Sequence, residues 1–170
     1  MELLVQAEAY IFKLFKDKLS SQYIYHDYLH TLRVVTALKE LIEGEKISSH
    51  DANELLLAGW FHDSGYIYGP EQHEEKGCEE FRLFMNEHPD PTIDIDKVCA
   101  IILATKIEHL PNNILEMCMK DADFYHFTLE NYEDHCSVLK KEIENIKQEE
   151  IQKIDWCTEN LNVLTKNHYY

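Results

Sequence analysis

The chain has 170 residues, the length of one domain, and its 45% apolar and 28% charged content is that of a globular protein, not a disordered one. A formal net charge of −16 excludes a nucleic-acid duplex as a natural partner, because so acidic a surface repels a polyanion; a small anion stays admissible if the site carries its own cation. Five glycines and four prolines are too few for many hairpins and favour helices.

Apolar residues recur at spacings of three and four almost throughout, which predicts an all-α chain. The first helix is expected over 3–19, with Leu4, Ala7, Ile11 and Phe15 on one face. A second, over 27–43, carries Leu29, Leu32, Val35, Leu38 and Leu41. Ser48 or Ser49 is the expected N-cap of a third over 50–63. Its centre, Leu55 to Phe61, is apolar on nearly every face and so belongs inside a bundle, with Gly65 as the expected stop.

A fourth helix over 73–87 presents Cys78, Phe81, Phe84 and Met85, and HPDPT then breaks the chain. A fifth follows over 94–106, and Asn112 or Asn113 caps a sixth through Lys120. Thr128 is the expected cap of a seventh over 129–147, and the last helix covers 150–166. Without repeats or a linker, these eight helices make a single compact domain spanning 1–170.

The cysteines, at 78, 99, 118, 136 and 157, are odd in number and form no CxxC pair; most fall on apolar faces, as free thiols in a reducing compartment do. MELLVQAEAY lacks a basic leader and the longest apolar run, LLLAGWF, is far too short to span a bilayer, so a cytoplasmic protein without membrane contact is expected.

Four features carry the chemistry: YHDYLH (25–30) opening a helix, the pair His62-Asp63 closing the most apolar helix, KDAD (120–123), and HEEK (73–76). Charged groups at the end of a buried helix need a partner or a metal. His62 and Asp63 can share one divalent ion if other helices complete the shell, and His30 and Asp123 can supply that. Two imidazoles and two carboxylates suit Mn, Fe, Co, Ni or Zn, with Mg also open, and leave room for water or substrate oxygen. Taken singly each feature has a plainer reading: a polar helix face for His26 and His30, a cap or turn for DAD, a solvated first turn for HEEK. Their order and context make coincidence the weaker account.

These segments resemble the HD superfamily of metal-dependent phosphohydrolases, whose pattern is H…HD…D. His30 matches within YHDYLHTLRVV, which is similar to a YHxxxHTxxVV opening; His62 and Asp63 match within AGWFHDSGY; Asp123 matches within KDADF, placed by an alanine before the ligand, with Asp121 the alternative. The resemblance covers about residues 22–145. It is closest to small bacterial predicted HD phosphohydrolases, with HEEKG near their NEEKSA and an ATK segment before a further histidine, here Thr105-Lys106 and His109. Gly77 stands where serine is usual, and His73 where asparagine is common.

The resemblance implies hydrolysis of a phosphoester, of a nucleotide or a similar small phosphorylated molecule, with Asp63 as ligand and as bridge to any second ion. By similarity to the cyclic-nucleotide phosphodiesterase branch, His26 protonates the leaving oxygen. Lys106 and His109 are expected to hold a non-bridging phosphate oxygen, and Tyr66 and Tyr68 to wall the pocket. Two alternatives accompany this: a nucleotide-sensing or regulatory domain with little turnover, and an HD-type di-iron oxygenase drawing on His73, Glu74 and His109 for extra ligands.

Overall fold

The computed structural model describes residues 2–166 and 169–170. Among them are eight α-helices: α1 (Glu2–Lys18), α2 (Tyr28–Gly44), α3 (Ser49–Phe61), α4 (His73–Glu87), α5 (Ile95–Leu103), α6 (Ile114–Asp123), α7 (Tyr132–Lys147) and α8 (Lys153–Lys166). Two 3-10 turns, Ser64–Tyr68 and Phe124–Thr128, stand between α3 and α4 and between α6 and α7. No strand occurs among the described residues. No helix among them is long and apolar enough to cross a membrane.

The bundle is organised around α3. Leu55, Leu57, Ala58 and Phe61 of this helix are fully buried, as its all-round apolarity requires. Around it pack Ile11 of α1, Leu38 of α2, Phe81 and Phe84 of α4, Ile101 and Ile102 of α5 and Met119 of α6, all in one continuous core. α1 belongs to this core although it precedes the region of resemblance. Glu54, also fully buried, is balanced by Lys97 Nζ at 2.7 Å and by the Asp94 amide at 2.9 Å, which ties α3 to the start of α5.

Helix starts follow the capping chemistry where a short polar side chain is available. Asp27 accepts from the His30 amide, Ser48 from that of Asp51, and Asn113 from those of Leu115 and Glu116. Thr128 does not cap α7: its hydroxyl donates to the Tyr125 carbonyl inside the second 3-10 turn, and α7 begins only at Tyr132. Asp94 caps α5 from outside, and that helix stops at Leu103, short of Lys106. α6 runs past Lys120 to Asp123, and α8 begins at Lys153.

The end of α3 also differs from expectation, and it matters most for the site. Regular helix stops at Phe61, so His62 is the cap and Asp63 opens the first 3-10 turn. Gly65 is not a left-handed stop. It lies inside that turn, where a Cβ would sit 1.9 Å from the His73 carbonyl oxygen. A Cβ on Gly77 would likewise fall 2.7 Å from the Phe61 oxygen and 3.1 Å from that of His62. These two glycines let α4 press directly on the backbone that carries His62 and Asp63.

Candidate metal centre

Three helix ends and one turn converge at one edge of the bundle. His30 lies in the first turn of α2, His62 caps α3, Asp63 opens the first 3-10 turn, and Asp123 is the last residue of α6. One ligand atom each from His30, His62 and Asp123 fall within 4.8 Å of one another. Asp63 Oδ2 is 3.2 Å from His30 Nε2 and 3.2 Å from His62 Nε2, and Asp123 Oδ1 is 3.2 Å from His30 Nε2.

The donor set fits a divalent ion on two further grounds. His62 Nδ1 donates to the Gly59 carbonyl at 2.8 Å, which leaves its Nε2 lone pair facing Asp63 and His30. Asp63 Oδ2 is buried yet receives no hydrogen bond of good geometry, an arrangement that is costly without a cation. The electrostatics agree. Burial works against a charged His30, but Asp123 and Asp63 outweigh it and push its pKa up to about 9. Burial likewise opposes ionised Asp63 and Asp123, but the adjacent imidazoles hold both carboxyls below the usual range, that of Asp63 well below. A field that favours imidazolium here also favours a metal cation.

Asp121 and Asp123 separate cleanly. Asp123 reaches His30, whereas Asp121 Oδ2 accepts from the Tyr170 amide at 3.1 Å, because residues two apart on a helix face different ways. Lys120, which is buried, donates to the carbonyls of Lys106, Ile107 and His109 and so ties down the segment that follows α5.

Beside the four clustered groups opens a cavity of about 390 Å3 reached by His26, Tyr66, His73, Glu74 and Thr105. The Tyr66 ring lies between two imidazoles, 4.4 Å from the centroid of His26 and 4.2 Å from that of His73. His73 Nε2 stands 3.8 Å from Asp63 Oδ1. Tyr68 points elsewhere: it is exposed and its hydroxyl donates to Glu80 at 2.5 Å.

Two expected phosphate-binding residues are not in this cavity. The Lys106 ammonium pairs with Glu75 on the outer surface. His109 faces Glu116, with Nε2 2.9 Å from its carboxylate. Both lie beyond the end of α5 at Leu103, in a segment whose Thr105 and Ile107 do line the cavity.

Two residues that sequence reasoning missed are found here. Glu142, on α7 and 1% exposed, pairs through Oε1 with His26 Nδ1, while its Oε2 accepts from the Tyr25 amide at 2.7 Å and the His26 amide at 3.0 Å. Burial would raise this carboxyl, but the side-chain and backbone donors of Tyr25 and His26 pull it below its ordinary value. The second is His126, in the turn after Asp123, whose pKa is depressed to about 4 by burial. An acidic residue on the apolar face of α7 was the only available signal for Glu142; nothing in the pattern marked His126.

A family model described as HD domain matches residues 27–128. No curated protein and no solved structure matches the chain.

Proposed function

This chain belongs to the HD-domain family, a superfamily of metal-dependent phosphohydrolases, and from that premise we propose that it hydrolyses a phosphoester of a small phosphorylated molecule, of which a nucleotide is one example. The observation that carries the reading is the convergence of His30, His62, Asp63 and Asp123 beside an open cavity. These four residues would hold the ion through two imidazole nitrogens and two carboxylates, a set that suits Mn, Fe, Co, Ni or Zn better than Ca. When bound, the ion supplies the Lewis acidity that polarises a phosphoryl oxygen and makes water nucleophilic near neutral pH.

The chain's own residues do the rest. His26 borders the cavity with its ring fixed on two sides, by Tyr66 through stacking and by Glu142 at Nδ1. That leaves Nε2 to deliver a proton to the leaving oxygen. Glu142 acts as a positioning residue: it sets the ring's orientation through Nδ1. Tyr25 and Tyr66 supply apolar surface next to the reacting groups and limit water access. The functional unit in this reading extends beyond residue 128 to α7, since Glu142 anchors His26. A cytoplasmic setting fits the five free cysteines.

A second ion would use Asp63 as its bridge, because Oδ1 faces His73 while Oδ2 faces the two buried histidines. Glu74 lines the same cavity. The oxygenase alternative needs more donors than this, and His109 is turned toward Glu116, so hydrolysis is the better supported reaction.

The test is phosphate release by the chain loaded in turn with Mn, Co, Ni and Mg, against a panel of phosphoesters. Metal-dependent release that disappears in His62→Ala is expected. Tight metal binding with no release from any ester would favour a sensing role instead.

A further inference from the structure

The cavity beside the candidate metal cluster has an apolar lining that the hydrolytic reading does not use. α7 contributes Leu139 and Ile143, α8 contributes Trp156, and the second 3-10 turn contributes Phe124 and Phe127. These five side chains are hydrocarbon and aromatic, and they line the same cavity as His26, Asp63 and Asp123.

The charges of the cavity are equally one-sided. Its described lining residues include the carboxylates of Asp63, Glu74, Asp123 and Glu159, but no lysine or arginine. The nearby cations are held elsewhere: Lys106 by Glu75, Lys120 by three backbone carbonyls, and Arg33 above the Tyr25 ring at 5.9 Å. A single phosphoryl group can be held at the metal cluster. A second or third phosphate would lie among carboxylates with no lysine or arginine to meet it, which is the opposite of the lysine- and arginine-rich cradles that bind polyphosphates.

Resting on the hydrolase reading above, we infer that the substrate is a monophosphate ester of an uncharged, hydrocarbon-rich alcohol, aryl or alkyl, whose body packs against Phe124, Phe127, Leu139, Ile143 and Trp156. The cavity's 390 Å3 accommodates a phosphoryl group with a one- or two-ring body. Specificity would come from apolar area: the phosphate is common to all candidates, and only the alcohol differs in how well it covers the wall.

Two measurements test this on the full chain. The first compares 1-naphthyl phosphate, phenyl phosphate, glycerol phosphate, inorganic pyrophosphate and a nucleoside triphosphate with the metal-loaded protein. KM should fall from glycerol to phenyl to naphthyl, by roughly ten- to a hundredfold across the series, and the polyphosphates should be poor substrates. Trp156→Ala should collapse the naphthyl-to-glycerol ratio, and Ile143→Lys should improve binding of pyrophosphate by placing a cation on the wall. Equal KM values for the naphthyl and glycerol esters, or a preference for the triphosphate, would overturn the inference.

The second measurement needs no turnover. Trp156 is one of two tryptophans, and the other, Trp60, is buried against Tyr28 in the bundle. Benzylphosphonate should therefore quench Trp156 fluorescence and bind more tightly than methylphosphonate, and Trp156→Phe should remove the signal. If no phosphoester is hydrolysed with any metal but benzylphosphonate still binds more tightly, the hydrolase reading fails and the ligand assignment stands. If the two phosphonates bind equally, the ligand assignment fails, whatever the turnover.

Discussion

Asp63 meets both buried histidines with one carboxylate oxygen and His73 with the other. A single substitution there takes a carboxylate partner from all three imidazoles at once. Asp63→Ala and His62→Ala should each remove most bound metal, as measured by elemental analysis, and leave the helical circular dichroism nearly unchanged. The fold survives because Leu55, Leu57, Ala58 and Phe61 supply the burial of α3, although opening a buried charged cluster costs about 3–5 kcal/mol of stability. Full metal occupancy in either variant would show that the ligands lie elsewhere. Asp123→Asn should weaken metal binding strongly in a titration, and Asp121→Asn little, since Asp121 faces Tyr170 and not His30. The reverse ranking would move the ligand. Both the His62-Asp63 pair and the KDAD segment were legible in the sequence because each places charge at the edge of an apolar stretch, where it needs a reason. Lys106 and His109 looked like cations at a helix end, but α5 stops at Leu103, and these two side chains face Glu75 and Glu116.

Helices were legible as periodicities, and their ends as caps where Ser48 and Asn113 do the capping; Asp27, expected as the first helical residue, is instead the cap of α2. The 3-10 turns were not legible, because five residues show no period and their geometry is imposed by what packs on them: His73 and Lys76 on Gly65 in the first, and the Asp123 to α7 connection in the second. Long-range pairing across elements is equally invisible to local pattern. Glu142 lies 116 residues from His26, and only the docking of α7 joins them. Glu142→Gln should keep metal content and lower turnover about 10- to 100-fold for an ester with a poor leaving group. The loss should be smaller for a nitrophenyl ester, which needs no proton. Equal losses for both esters would mean that Glu142 only holds the fold. The same carboxylate sets an acid limit on α7. Its folded pKa lies below the ordinary value of 4.5, so its contribution to stability is fully present above that value and is lost as pH falls through the folded pKa. Urea midpoints measured from pH 6 downward should fall below about pH 4.5 in the wild type and fall less steeply in Glu142→Gln.

At the scale of the whole molecule, a chain of net charge −16 will attract any divalent cation to its surface, so metal binding alone is weak support for a site. Thermal stability separates the two cases. An ion that binds the folded chain at one defined place stabilises it by about 2.7 kcal/mol at a hundred times its Kd, and each kcal/mol raises the Tm of a protein of this size by about 2–4 °C. Mn, Co or Ni at that excess should therefore raise Tm by about 5–11 °C. Calcium, which prefers oxygen ligands, finds two imidazoles in the cluster and should raise it much less, although scattered surface carboxylates bind calcium as readily as the others. The difference between the metals, not the rise itself, is the signature of His30 and His62. It should vanish in His62→Ala, where every surface carboxylate is intact. Scanning calorimetry of the two proteins with each ion decides the matter: equal shifts for calcium and manganese, or an undiminished difference in the variant, would locate the bound ion outside the cluster.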